Sequence, residues 1–154
     1  MEFTTSKMTD NYAIEILKWK YEKPYDLYNN VLSGEAIMEL TSSSYKAILL
    51  NDEVVGFYCT GKDAQVPAGN EVGAYSRDCM DIGLGMKPDL TGKGLGTPFF
   101  GFILQDICEE SSKCLRLTVA DFNKRAIRLY ENFGFVIEKE FWRGDMQFNV
   151  MIKG

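Results

Sequence analysis

Residues 80–100 read MDIGLGMKPDLTGKGLGTPFF. The run 80–86 predicts a strand interrupted by Gly83 and Gly85, which suit a bulge or a backbone closely approached by a ligand. Residues 95–110 predict a helix that buries Phe99, Phe100, Ile103, Leu104 and Ile107 and keeps Pro98 in its first turn. Between strand and helix lies Thr91-Gly92-Lys93-Gly94-Leu95-Gly96-Thr97. Glycines lack Cβ atoms, so successive backbone N–H groups can close on an anion, and the helix start adds partial positive charge. The turn is therefore a phosphate cradle or a plain flexible connection. Spacing excludes a P-loop, because Gly92-Lys93 is followed by Gly94. It also excludes a dinucleotide fingerprint, because Thr97 or Phe99 stands where the third glycine belongs.

Working outward, residues 45–50 and 54–60 predict a hairpin turning at Asn51, Asp52 and Glu53. Residues 10–20 predict a helix with Ala13, Ile14, Ile16 and Leu17 on one face, capped by Thr9 or Asp10. Pro24 stops it, and Tyr25 to Tyr28 begin a short element. The stretch 61–79 is the most loop-like and reads as a mobile excursion over a site. Downstream come a strand over 115–120, a helix over 123–132 ended by Gly134, and strands near 135–142 and 145–152 around Arg143 and Gly144. This order predicts one α/β (α+β) domain over residues 1–154, built on a single mixed sheet.

Composition narrows the function. The 154 residues fit one domain, and 45% apolar with 25% charged residues excludes disorder. A net charge of −5 argues against a nucleic-acid binder. The absence of histidine excludes His-based nucleophile systems and His-ligated metals. The four cysteines form no C-x-x-C pair, which argues against a zinc ribbon. The opening residues are too charged for a secretory signal, and no apolar run of about 18 residues occurs. The expectation is a cytoplasmic protein with reduced thiols and no metal, membrane or nucleic-acid partner, either a monomer or a homodimer.

Residues 117–135 read LTVADFNKRAIRLYENFGF. Asn123 and Tyr130 fall on the same side of the predicted helix, about 10 Å apart along its axis. With the glycine turn, this block resembles the GNAT superfamily of N-acetyltransferases. Their acyl-CoA loop reads Arg/Gln-x-x-Gly-x-Gly/Ala, matched here by Gly94, Leu95 and Gly96 behind Lys93, with Thr91 in the first position. Their second block reads Asn-x-x-Ala-x-x-x-Tyr and then Gly-Phe, matched by Asn123, Ala126, Tyr130, Gly134 and Phe135.

The resemblance implies a splayed mixed sheet of six to seven strands with helices on both faces, and acetyl-CoA as co-substrate. It implies that the amides of Gly92, Lys93, Gly94, Leu95, Gly96 and Thr97 hold the pyrophosphate. Leu84 and Met86 would offer backbone groups to the pantetheine, with Thr91 and Asn123 beside the cofactor. Tyr130 would protonate the leaving thiolate, its competing role being a core aromatic. Asp81 is the candidate base, its competing role being a structural hydrogen bond. Asn123 is equally a helix cap. Lys113, Arg116, Lys124, Arg125 and Arg128 form a basic run that would attract phosphates or simply be solvated. The acceptor would lie around Trp19, Tyr21, Pro24, Tyr25, Tyr28 and Trp142, residues that also suit core packing.

The implied function is direct acetyl transfer to a primary amine of a small molecule or peptide in a ternary complex. No cysteine lies in either motif, so an acetyl-cysteine intermediate has no support. The alternatives are a transferase for another acyl-CoA, a non-catalytic CoA-binding module and, more distantly, a nucleotide-binding module.

Overall fold

The computed structural model describes residues 2–108 and 113–154. β1 (Phe3–Lys7), β2 (Tyr45–Leu50) and β3 (Glu53–Thr60) form an antiparallel meander. Asn51 and Asp52 close its hairpin at φ 52° and 65°. Asn and Asp tolerate this left-handed region better than branched residues, and such turns match the twist of paired strands. α1 (Asp10–Leu17) is capped by Thr9, whose side chain accepts from the Tyr12 amide, and α2 (Gly34–Leu40) by Ser33 in the same way. The remaining elements are β4 (Cys79–Met86), α3 (Gly96–Cys108), β5 (Cys114–Ala120), α4 (Lys124–Asn132), β6 (Val136–Arg143) and β7 (Met146–Lys153).

The strands hydrogen-bond in the order β1-β2-β3-β4-β5-β7-β6. β4 and β5 run parallel, while β7 is antiparallel to both β5 and β6. The result is the seven-stranded mixed open sheet with helices that the motifs implied. The β4–β5 register begins at Cys79↔Cys114 and reaches Ile82↔Leu117. Among the described residues, no helix is long and apolar enough to cross a membrane.

Two elements escape the sequence reading. β1 is a short polar run, FTTSK, without a strong apolar face, and α2 has only Ser33 to announce it. α1 is shorter than expected. Lys18 and Trp19 close a tight turn onto Ile14 and Ile16 (3.2 and 3.1 Å), which carries Trp19 into the interior at 8% exposure.

The chain divides into two compact units. The first comprises Met1–Cys59 and Leu84–Ile103. Its core joins Ala13, Ile16 and Leu17 of α1 to Met8, Trp19, Leu40, Ala47 and Val54. Here the sheet requires glycine twice. A Cβ on Gly56 would meet the Phe99 ring and the Gly85 carbonyl, and one on Gly85 would meet the Phe57 ring. Gly85 thus makes room for a neighbouring side chain rather than for a ligand.

The second unit comprises Thr60–Gly83 and Leu104–Gly154. Ala74, Phe141 and Val150 form a buried cluster with Val66, Ala68, Tyr75 and Phe148 around it. This corrects the expectation that 61–79 is a mobile excursion. The Tyr75 hydroxyl bonds Thr118 Oγ1 (2.7 Å) and accepts from the Val66 amide (3.0 Å), while Gly69 lies against Phe141 too closely to admit a Cβ freely. A second correction concerns the thiols. Cys79 and Cys114, opposite each other in the parallel register with Cα atoms 4.7 Å apart, are joined as a disulfide.

Gly56→Ala should lower stability by about 1–3 kcal/mol through overpacking against Phe99, read as a lower urea midpoint. Cys79→Ser combined with Cys114→Ser should cost about 2–4 kcal/mol by releasing a closed loop in the unfolded chain. Reductant should move the wild-type midpoint to that of the double variant.

Candidate functional site

The first unit holds the glycine turn. A 3-10 turn at Pro88–Leu90 follows β4, and α3 begins at Gly96. Thr91 is turned inward, its amide and Oγ1 both donating to the Pro88 carbonyl (3.1 and 2.7 Å). Gly92 and Gly94 then take φ 73° and 78°, which only glycine adopts at no steric cost. Among the described residues, the amides of 92–97 have no backbone acceptor, and the space beside the Gly94 Cα is open. A row of unsatisfied N–H groups at the start of a 13-residue helix is the donor set that a pyrophosphate needs. The residues present fit the expected group.

Strand geometry sets up the second part of this face. The Lys87 amide donates to the Val55 carbonyl of β3 (2.8 Å). Met86 C=O belongs to the same trans peptide and so points to the opposite edge of β4. By alternation along the strand, the backbone groups of Leu84 share that edge. These are the two residues assigned to pantetheine by the motif reading. The Tyr21 hydroxyl donates to Met86 O at 2.7 Å, a contact with no signature in the sequence. Burial, and secondarily the nearby Tyr28, push the Tyr21 phenol from 10.0 up to about 12. Trp19 belongs to the core, so it cannot wall an acceptor pocket as expected. Tyr28 is 36% and Trp142 62% exposed.

The second unit holds Asp81, Asn123 and Tyr130. Asp81 is 3% exposed and Arg116 1%. Arg116 Nε donates to Asp81 Oδ1 at 2.6 Å and Nη2 to Oδ2 at 2.8 Å, while Gln65 Nε2 donates to Oδ2 at 2.7 Å. Arg116 Nη1 reaches the Arg77 carbonyl (2.8 Å), and the Tyr75 ring lies 5.2 Å from the guanidinium carbon. The hydrogen bonds it donates to Asp81 hold the guanidinium above its ordinary value. With three donors on its two oxygens, Asp81 has the partners of a structural carboxylate, the competing role named for it above.

The basic run is correspondingly thinner than its sequence suggests. Arg116 is internal, Lys113 pairs with Asp78 (3.0 Å) and Lys124 with Asp121 (3.2 Å). Asn123 caps α4, its Oδ1 accepting from the Ala126 amide at 3.1 Å. Asp121, two residues before it, accepts from Asn149 Nδ2 (3.0 Å) and Lys124, and these bonds hold its carboxyl below the usual carboxylate range. Tyr130 is 8% exposed on the buried side of α4, its ring 6.4 Å from that of Phe135. Leu84, Met86 and residues 91–97 thus share the first unit, while Asp81, Asn123 and Tyr130 share the second.

Arg116→Met would leave the Asp81 carboxylate buried without its cation. The expected loss is about 3–5 kcal/mol, most of it regained in the Asp81→Leu, Arg116→Met double variant, as measured by urea unfolding. Tyr21 supplies a pH signature. The unfolded phenol loses its proton before the folded one, so stability should hold below pH 10 and decline as pH rises from about 10 to 12. Tyr21→Phe should flatten that decline in alkaline melting curves.

The model of the acetyltransferase (GNAT) family matches residues 10–135. Among curated proteins, no sequence matches this chain. Among solved structures, an aminoglycoside acetyltransferase in complex with coenzyme A is 18% identical at TM-score 0.69, covering 99% of this chain and 94% of that one. A GNAT-family acetyltransferase from Streptococcus pneumoniae is 19% identical at TM-score 0.62, covering 99% and 98%. A putative acetyltransferase from Salmonella typhimurium with acetyl-CoA bound is 14% identical at TM-score 0.66, covering 98% and 92%. The matched span, together with the turn and strand geometry, makes this chain a member of the GNAT acetyltransferase family, an acyl-CoA N-acyltransferase.

Proposed function

We propose that residues 1–154 act as one acetyltransferase domain. It transfers the acetyl group of acetyl-CoA directly to a primary amine of a small molecule or peptide. The observation that carries this reading is the turn at 92–97, with two left-handed glycines and a row of amides without backbone acceptors at the end of β4. Acetyl-CoA supplies an activated thioester. The amides of 92–97 would neutralise its pyrophosphate, and the outward backbone groups of Leu84 and the Met86 N–H would pair with its pantetheine amides. Thr91 acts through the Pro88 carbonyl to set the turn rather than through contact with phosphate. Asn123 fixes the start of α4.

In the transfer, the amine nitrogen bonds to the carbonyl carbon, the carbon–sulfur bond breaks, and the amine loses one proton to solvent. Tyr130 gives the departing thiolate a proton, and its phenol is restored from solvent. Asp81 takes no proton in this scheme. It holds Arg116 and, with it, the start of β4. The amine attacks only when neutral, and holding it beside the thioester supplies much of the rate. One structural relative was solved with paromomycin and acetyl-CoA (18% identity, TM-score 0.71). With the net charge of −5, this supports cationic small-molecule amines as the first acceptors to screen.

Calorimetric titration should show saturable acetyl-CoA binding, abolished in Gly94→Val, where a branched residue would have to occupy φ 78°. Failure of the wild type to bind would reject the cradle. With an acceptor in hand, Tyr130→Phe should lower kcat about 10²-fold while the Kd for acetyl-CoA stays within about twofold. Unchanged kcat would remove Tyr130 from the chemistry.

A further inference from the structure

The Tyr21 hydroxyl lies outside every recognised motif, yet it occupies the edge of β4 reserved by the backbone for a ligand. The peptide joining Met86 to Lys87 sends its N–H to β3 and its C=O outward. Tyr21 takes that outward carbonyl at 2.7 Å. Its own backbone is held in turn, because the Tyr21 amide donates to Asn29 Oδ1 at 2.6 Å and its ring meets Tyr28 edge-on at 6.1 Å. A side chain fixed at backbone, ring and hydroxyl is built to stay in place.

We propose that Tyr21 is a cofactor-positioning residue that ends the backbone ladder for the pantetheine arm at Met86. This inference rests on the reading of β4 and the glycine turn as the acyl-CoA cradle. Two consequences follow from the chemistry of the hydrogen bond. The phenol's single proton is committed to Met86 O, so its oxygen presents only lone pairs to a ligand. It can accept from the hydroxyl or amide N–H of a pantetheine arm, and it cannot donate to one. The Met86 carbonyl is also held in one direction, so it is not open to a pantetheine N–H. Because burial pushes the phenol up to about 12, it stays neutral and this arrangement stays constant across the working range of an acetyltransferase.

The test compares wild type with Tyr21→Phe, which keeps the ring and removes the hydroxyl. Three ligands are titrated: acetyl-CoA, CoA, and adenosine 3′,5′-bisphosphate, which carries phosphates but no pantetheine arm. The expected result is about a tenfold loss for acetyl-CoA and for CoA, in line with one hydrogen bond, and no change for the bisphosphate. Equal binding of acetyl-CoA by both proteins would overturn the proposal while leaving the cradle intact. An equal loss for all three ligands would also overturn it, by reducing Tyr21 to a structural role. Failure of the wild type to bind acetyl-CoA would instead reject the cradle reading itself.

Should Tyr21→Phe not fold, hydrogen exchange of wild type decides. Added acetyl-CoA should slow exchange in residues 19–30, and an unchanged rate there would refute the role.

Discussion

Asp81 and Arg116 stand opposite each other where β4 and β5 run parallel, and both are nearly sealed from solvent. A buried ion pair of this kind gains little over an apolar pair of similar size, and it punishes every alternative arrangement. A slip of one residue between the strands would turn the carboxylate and the guanidinium to opposite faces, each without a partner. The pair therefore dictates register more than it adds stability. Gln65, Tyr75 and the Arg77 carbonyl complete its hydrogen bonding and stacking, so the segment 60–78 is organised around the same charge. The neighbouring disulfide fixes the same register covalently at the first pair, two residues before Asp81 and Arg116.

In the other unit, the governing constraint is steric. Phe99 and Phe57 fill the room left by Gly56 and Gly85, which lets the sheet and the first turns of α3 approach closely. Phe3 reaches Phe99 from β1, with ring centroids 5.8 Å apart. The glycine turn is carried between β4 and α3, both held by this packing. Its conformation at Gly92 and Gly94 is set by elements that need no ligand to form. A preformed row of donors loses little entropy on meeting an anion.

Most of the fold was legible because its signals are local. The alternation in 45–60, the Asn51 and Asp52 turn and the apolar stripe of α3 each speak for themselves within a few residues. Phe99, Phe100, Ile103 and Ile107 are all at most 1% exposed. β1 and α2 lack such signals, since their stability comes from partners elsewhere in the chain. The glycine turn could be recognised by composition and order. The role of Tyr21 could not, because its partner is the backbone of a residue far along the chain and a carbonyl leaves no mark in a sequence. Arg116 was read as surface charge within a basic run. The signal against that reading was its place inside LRLTVA, where an apolar strand carries a lone cation that must find a buried anion. The disulfide was missed because cysteine spacing alone does not reveal which strands are neighbours.

The bridge between Cys79 and Cys114 closes a ring around the whole of β4, the glycine turn and the whole of α3. Topologically, these elements form a covalent circle from which the rest of the chain departs as two arms. A single backbone cut anywhere inside that circle leaves one molecule, held together at the point where β4 and β5 start to pair. The glycine turn thus lies in a segment that can be nicked without being severed.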